Sequence, residues 1–186
     1  TTTDAKSFTT VVSGDPLYQY QWHLNNTGQT NFANNTGTAA EDINVDSVIA
    51  DGLTGSGVIV AVVDTGLEIA HEDLSANIVS SGSWDFVSSD TDPTNSTTTG
   101  DHGTSVSGLI ASKGWNALGG RGVAPSASLK GFNFLESQST TNNINSLGAT
   151  NASFTSSDVY IFNQSYGTSA TYDYSVNATV AAQYLD

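Results

Sequence analysis

The chain has 186 residues, 37% of them apolar, enough for one domain with a substantial core. Four Lys and Arg stand against 18 Asp and Glu, a net charge of -14 that repels nucleic acid and anionic membranes, so neither is an expected partner. With no cysteine there is no disulfide framework, thiol nucleophile or thiolate metal site, which leaves packing and oxygen-liganded cations, calcium first, to staple the fold. No apolar run is long enough to cross a bilayer, and the first residues do not read as a signal peptide. Thr1-Thr2-Thr3 reads as a mature terminus, and the heavy use of Ser, Thr, Asn and Gly suits a secreted, bacterial protein.

Residues 1–56 carry little pattern beyond a short helix at Asp46-Ser47-Val48-Ile49-Ala50 and are expected to wrap a core formed by residues 57–186. The run from Val58 to Val63, unbroken by any polar residue, predicts a fully buried strand ending at Asp64. A second strand is predicted at Ser83-Trp84-Asp85-Phe86-Val87, and the polar stretch 88–101, with Pro93, reads as a loop. Asp101 is placed to cap a helix through His102, Val106, Leu109 and Ile110, which recur at three- and four-residue steps. Residues 128–135 predict a third strand, 142–152 a helix, 159–163 a strand and 174–185 a final helix. Alternating strands and helices predict an α/β fold, a doubly wound, mostly parallel sheet with helices on both faces. A final helix with no strand after it makes that sheet incomplete at the C-terminus.

A carboxylate at the end of a buried strand and an imidazole opening a helix can meet at one sheet edge, where an Asp orients a His acting as general base. Asp64 and His102 are placed for this. A lone Asp after a strand is commonly a loop cap and a lone His a surface helix residue, but the neighbours favour the pair. Gly66 permits a sharp turn at the edge where open α/β sheets place their sites. Gly103, with the small residues Thr104, Ser105, Ser107 and Gly108, lets the helix approach the sheet closely. Asp85, Asp90 and Asp92 fall within eight positions, so they could share one hard cation or simply form a solvated acidic loop.

Val62-Val63-Asp64-Thr65-Gly66 and Asp101-His102-Gly103-Thr104-Ser105-Val106-Ser107-Gly108 resemble the Asp and His motifs of the subtilases, the subtilisin-like serine peptidases. Val123-Ala124-Pro125, Ser128-Leu129 and Asn163-Gln164-Ser165-Tyr166-Gly167 are similar to family segments in the same order. Asp15-Pro16-Leu17-Tyr18, Gln21-Trp22-His23-Leu24 and His71-Glu72-Asp73-Leu74 resemble the kexin and furin branch and its bacterial relatives.

The resemblance implies a calcium-stabilised serine endopeptidase acting on protein or peptide substrates. His102 would be the base, Asp64 its partner, and Ser165-Tyr166-Gly167 the stretch that pairs with the substrate backbone, where an ordinary strand end is the alternative. It implies one calcium site at Asp85, Asp90 and Asp92, with Glu136 as a fourth ligand. A second is implied at Asp15, Asp73, the Asn116 side chain and the carbonyls of Lys113, Leu118 and Gly120. Gly167-Thr168-Ser169 imitates the nucleophile motif, but Tyr172-Asp173-Tyr174 follows with neither Pro nor an apolar helix start, so Ser169 is not expected to act. The nucleophile and the oxyanion Asn are expected beyond Asp186, making the chain the N-terminal half of a catalytic domain whose C-terminal half is its complementary partner.

Convertases that cut after paired basic residues carry a second Asp where this chain has Thr65, and acidic residues near Thr99 and near Thr168 to Ala170. Strict dibasic cleavage is therefore not expected, although the acidic surface favours cationic substrates. Two alternatives stay open: a non-catalytic calcium-binding fragment, and an aspartic peptidase using Asp64-Thr65-Gly66, which would need a second copy or a symmetric dimer and an all-β fold.

Overall fold

The computed structural model describes residues 14–32, 34–96, 100–148 and 157–167. Its centre is a three-stranded parallel sheet, ordered β2-β1-β3, of β1 (Ile59–Val63), β2 (Ser128–Phe132) and β3 (Ile161–Asn163). Ile59 pairs with Ser128 and Val63 with Phe132 on one side of β1, and Val60 with Ile161 on the other. The apolar run of β1 has no polar alternation because both its faces are buried. Val60 and Val62 join Leu67, Leu74, Ala111, Ala127 and Leu129 in one core, while Ala61 and Val63 join Phe132 and Phe134 in another.

The described residues form three α-helices: α1 (Asp46–Ala50), α2 (His102–Ala111) and α3 (Thr140–Ser146). The first core is covered by α2, through Ala111, Val106 and Ile110. Over the second, among the described residues, lie Trp84, Phe86, Leu135, Phe162 and Tyr166. Lys130, opposite Ala61, is 1% exposed and is held by an ion pair to Asp158 at 2.5 Å, without which its charge would be costly there.

Several predicted elements are shorter than the sequence pattern suggests. Residues 83–87 do not form a strand: Trp84 makes one parallel bridge to Phe132, and the Asp85 carboxylate then accepts from the Val87 and Ser88 N–H groups at 2.6 and 2.9 Å, turning the chain. β2 stops at Phe132, three residues early, where the chain enters a 3₁₀ turn at Phe134–Glu136. The helix expected from 142 begins at Thr140, because Ser139 Oγ accepts from Asn142 N–H at 3.0 Å. It ends before Gly148, whose φ of 135° does not continue a helix, and 149–152 lie outside the described residues, as does the helix expected at 174–185. β3 begins at Ile161, two residues later than expected.

The described part of the N-terminal segment is irregular apart from a 3₁₀ turn at Tyr18–Tyr20 and α1. Gln21 and Arg121 exchange hydrogen bonds of 2.8 Å each way, and Leu17 N–H donates to Gly119 at 2.7 Å. The buried Arg121 guanidinium stacks 3.9 Å from the Tyr18 ring centre and 4.5 Å from that of Trp115, tying this segment to the 113–121 loop. Among the described residues no helix is long and apolar enough to cross a membrane.

Candidate active site

Asp64 directly follows β1 and is held in the sheet framework: its N–H donates to Phe132 O at 2.9 Å and its carbonyl accepts from Leu135 N–H at 3.0 Å. Its side chain is therefore fixed at the C-terminal edge of the central strand. His102, the first residue of α2, places Nδ1 2.8 Å from Asp64 Oδ1. The carboxylate is fully buried, whereas the His102 side chain is 54% exposed. A carboxylate accepts only, so Nδ1 carries the proton and Nε2 is left as the basic atom, on a ring open to an incoming group. Asp64 Oδ1 also accepts from Thr65 N–H at 2.6 Å, while Oδ2 is buried with no hydrogen-bond partner among the described residues.

The close approach of α2 depends on glycine. A Cβ on Gly103 would overlap the Gly66 carbonyl oxygen and stand 3.0 Å from Asp64 Cβ. Gly66 itself has a φ of 135°, and a side chain there would strike the Pro93 carbonyl. Gly108, by contrast, faces open space apart from Ser112 Oγ, so it does not serve the approach.

The expected cap by Asp101 is not made: its side chain bonds no helix N–H. Thr65 takes that place from across the chain, its Oγ accepting from Gly103 N–H at 3.0 Å and donating to Gly100 O at 2.7 Å. Asn95 supports the same turn, donating to Thr65 O at 2.7 Å and to Glu136 Oε1 at 3.1 Å. Neither Thr65 nor Asn95 is identifiable in the sequence as a site residue. The one local signal is the cluster of Gly66, Gly100 and Gly103, which marks where chains pass closely.

Ser165, Tyr166 and Gly167 follow β3 at the same sheet edge, since Asn163 pairs with Val62, two residues before Asp64. Ser165 and Gly167 are exposed, and the Tyr166 ring packs 5.7 Å from that of Phe134. Ser169 lies outside the described residues. The aspartic peptidase alternative fails on two counts: the sheet is parallel and helix-covered, and the Asp64 carboxylate is engaged by an imidazole.

The expected metal ligands divide into two groups. Asp15 and Asp73 are 3% and 7% exposed and meet the 113–120 loop. Asp15 accepts from the Trp115 and Asn116 N–H groups at 2.9 and 3.0 Å, and Asp73 Oδ1 accepts from Asn116 Nδ2 at 2.7 Å. Lys113 N–H donates to Asp73 O at 2.8 Å, Leu118 N–H to Asn116 Oδ1 at 3.1 Å, and Gly119, next to Gly120, passes against Asp73 Oδ2. Burial, reinforced by the Asp15 charge, pushes the Asp73 carboxyl up against the opposing Asn116 amide. Arg121 is 3.3 Å from Asp15, and among the described residues Asp73 has no ion-pair partner. Asp15 and Asp73 are thus two buried carboxylates brought to one loop, where Asn116 gives its Nδ2 to Asp73 and its Oδ1 to Leu118 N–H.

In the other group Asp85 N–H donates to Asp90 O at 2.8 Å, so their backbones meet. Burial acts to raise Asp85, but the Ser88, Asn133 and Val87 donors outweigh it and hold the carboxyl below its usual range. Asp90 and Asp92 are exposed, and each accepts from the N–H two residues ahead, at 2.9 and 3.1 Å. Glu136 is bonded to Asn95 instead. Among the described residues no three carboxylate or imidazole side chains come close enough to hold one metal ion.

Residues 55–185 match the model of the subtilase family. The chain is 44% identical to the extracellular serine protease of Aeromonas sobria over 169 residues, 91% of this chain and 27% of that protein. It is 35% identical to neuroendocrine convertase 2 of Caenorhabditis elegans over 184 residues, 94% of this chain and 27% of the relative. The crystal structure of the Aeromonas sobria serine protease in complex with a chaperone superposes with a TM-score of 0.81 at 42% identity, covering 92% of this chain and 28% of that one. The chain thus spans about a quarter of the length of these relatives.

Proposed function

The chain belongs to the subtilase family, and on that premise we propose that it supplies the Asp and His half of a secreted serine endopeptidase. The contact of 2.8 Å between His102 Nδ1 and a fully buried Asp64 carries this reading. His102 Nε2 takes the proton of a serine hydroxyl as its oxygen bonds to the scissile carbonyl carbon. The proton then passes to the amine as the peptide C–N bond breaks, and water regenerates the enzyme by the same route. Asp64 holds the tautomer and stabilises the transient imidazolium. The serine comes from sequence outside this chain.

That remaining sequence has a surface to pack on. An apolar groove of about 500 Å³ runs between α2 and β3, lined by Val58, Val60, Leu109, Ile110, Ala127 and Ile161 among others. Leu109 and Ile161 are each more than half exposed there. The occupant we propose is the complementary part of the same catalytic domain, since the chain spans about a quarter of its relatives. Calcium is proposed at Asp15 and Asp73 with the 113–120 loop, where it would supply charge compensation and tie the N-terminal segment to the core. Cleavage after basic residues is proposed on the net charge of -14, which draws cationic substrates.

A serine-reactive fluorophosphonate tests the reading on the intact protein. Labelling is expected at a serine outside residues 1–186 and is expected to vanish in His102→Ala. Labelling of Ser165 or Ser169, or labelling that persists in His102→Ala, would overturn it. Peptide-library cleavage with an apolar preference before the scissile bond would remove the basic-residue proposal alone.

A further inference from the structure

Thr65 stands between the two halves of the dyad, and each of its polar groups outside the peptide carbonyl is engaged with one of them. Its N–H donates to Asp64 Oδ1 at 2.6 Å, the same oxygen that accepts from His102. Its hydroxyl accepts from Gly103 N–H, the residue after His102, at 3.0 Å and donates to Gly100 O, two residues before His102, at 2.7 Å. A hydroxyl has one proton and two lone pairs, so these two bonds use it in a single orientation. The start of α2 has no side-chain cap of its own, and the hydroxyl fills that role from the Asp64 turn. The turn and the helix are already in van der Waals contact at Gly66 and Gly103, so the bonds set a position that sterics only limits.

We propose that Thr65 is a positioning residue that locks the His102 helix to the Asp64 turn, its hydroxyl setting the Nδ1 to Oδ1 geometry on which the base depends. The proposal rests on the peptidase reading.

Three variants of the intact protein test it. Thr65→Val keeps the shape and removes the hydroxyl, and is expected to lower kcat about 10- to 100-fold with KM within roughly threefold, as for a misplacement of the order of 1 Å. Thr65→Ser restores the hydroxyl and is expected to recover activity to within about threefold of the parent, a rescue that general packing at this site would not give. The far-downfield proton resonance of His102 Nδ1–H should weaken or shift in Thr65→Val and return in Thr65→Ser. Should Thr65→Val fail to fold, Thr65→Cys, a weaker donor and acceptor of similar size, is expected to fall between the parent and the roughly 10- to 100-fold loss expected without the hydroxyl. Unchanged kcat and an unchanged resonance in the folded Val or Cys variant would overturn the proposal. His102→Ala and Asp64→Asn run alongside: if they keep activity the peptidase reading itself falls, whereas their inactivity beside a fully active Thr65→Val removes only the role of Thr65.

Discussion

Gly103→Ala sets helix propensity against packing, and the structure says which wins. Inside a helix, Ala for Gly ordinarily stabilises by about 1 kcal/mol. Here the added Cβ would stand 3.0 Å from Asp64 Cβ and overlap the Gly66 carbonyl. Carbon atoms pack at about 3.5–4.0 Å, so Asp64 and the helix must separate by roughly 0.5–1 Å, and by more at Gly66. Both obstacles are backbone or sit against it, so no side-chain rotation relieves them. The overpacking costs about 1–3 kcal/mol, which exceeds the propensity gain in most of that range. An opening of this size also takes the bond of 2.8 Å between His102 and Asp64 beyond hydrogen-bonding distance, with an expected loss of about 10²-fold in kcat/KM. Gly108→Ala is the control on the same helix, since its Cβ meets only Ser112 Oγ at 3.3 Å, a hydroxyl that can turn aside. It should be neutral or stabilising by up to about 1 kcal/mol, with activity unchanged. Denaturant midpoints and kcat/KM on both variants decide the matter. Equal behaviour of the two alanines would refute the claim that close approach at Gly103 builds the site.

Asp64→Asn leaves the shape of the site but removes the negative charge that stabilises the His102 imidazolium and puts an NH2 donor in place of one acceptor oxygen, and kcat is expected to fall about 10⁴-fold with little change in denaturant midpoint. Chelation of calcium should lower the melting temperature; at a calcium concentration 100 times Kd the ion contributes about 2.7 kcal/mol, and Asp73→Asn should abolish the response. For Tyr18, burial together with the hydrogen bond of 2.7 Å to Asp46 and that carboxylate's charge pushes the phenol from its ordinary value near 10 up to about 12. A raised folded-state value means that the folded chain holds the proton longer, so this stabilisation is complete below pH 10 and is lost between pH 10 and about 12. Tyr18→Phe should therefore be less stable near pH 8, by about 1 kcal/mol, and show a shallower alkaline decline in a urea titration across pH 8–12.

The strand before Asp64 was legible because burial on both faces writes an unbroken apolar run, and the His102 helix because its apolar spacing is local. α3 was misplaced by two residues because Thr140-Thr141-Asn142 has no apolar period and its start is set by the Ser139 hydroxyl. The strand expected at 83–87 failed for a related reason: Asp85 can satisfy nearby N–H groups with its own carboxylate, which turns the backbone before a ladder forms. The Asp85 carboxylate is spent on such bonds, while Asp15 and Asp73, far apart in sequence, both meet the loop at Asn116.

The amino-acid sequence alone determined the buried strand, the glycines that permit close passage, and the Asp and His motifs that carry the family likeness, because each is written in consecutive residues. Only the tertiary structure decided which hydroxyl caps the His102 helix and which acidic groups share an environment. Those depend on segments that meet across more than thirty positions, such as Thr65 with Gly103 and Asp73 with Asn116, and no local period records such a meeting.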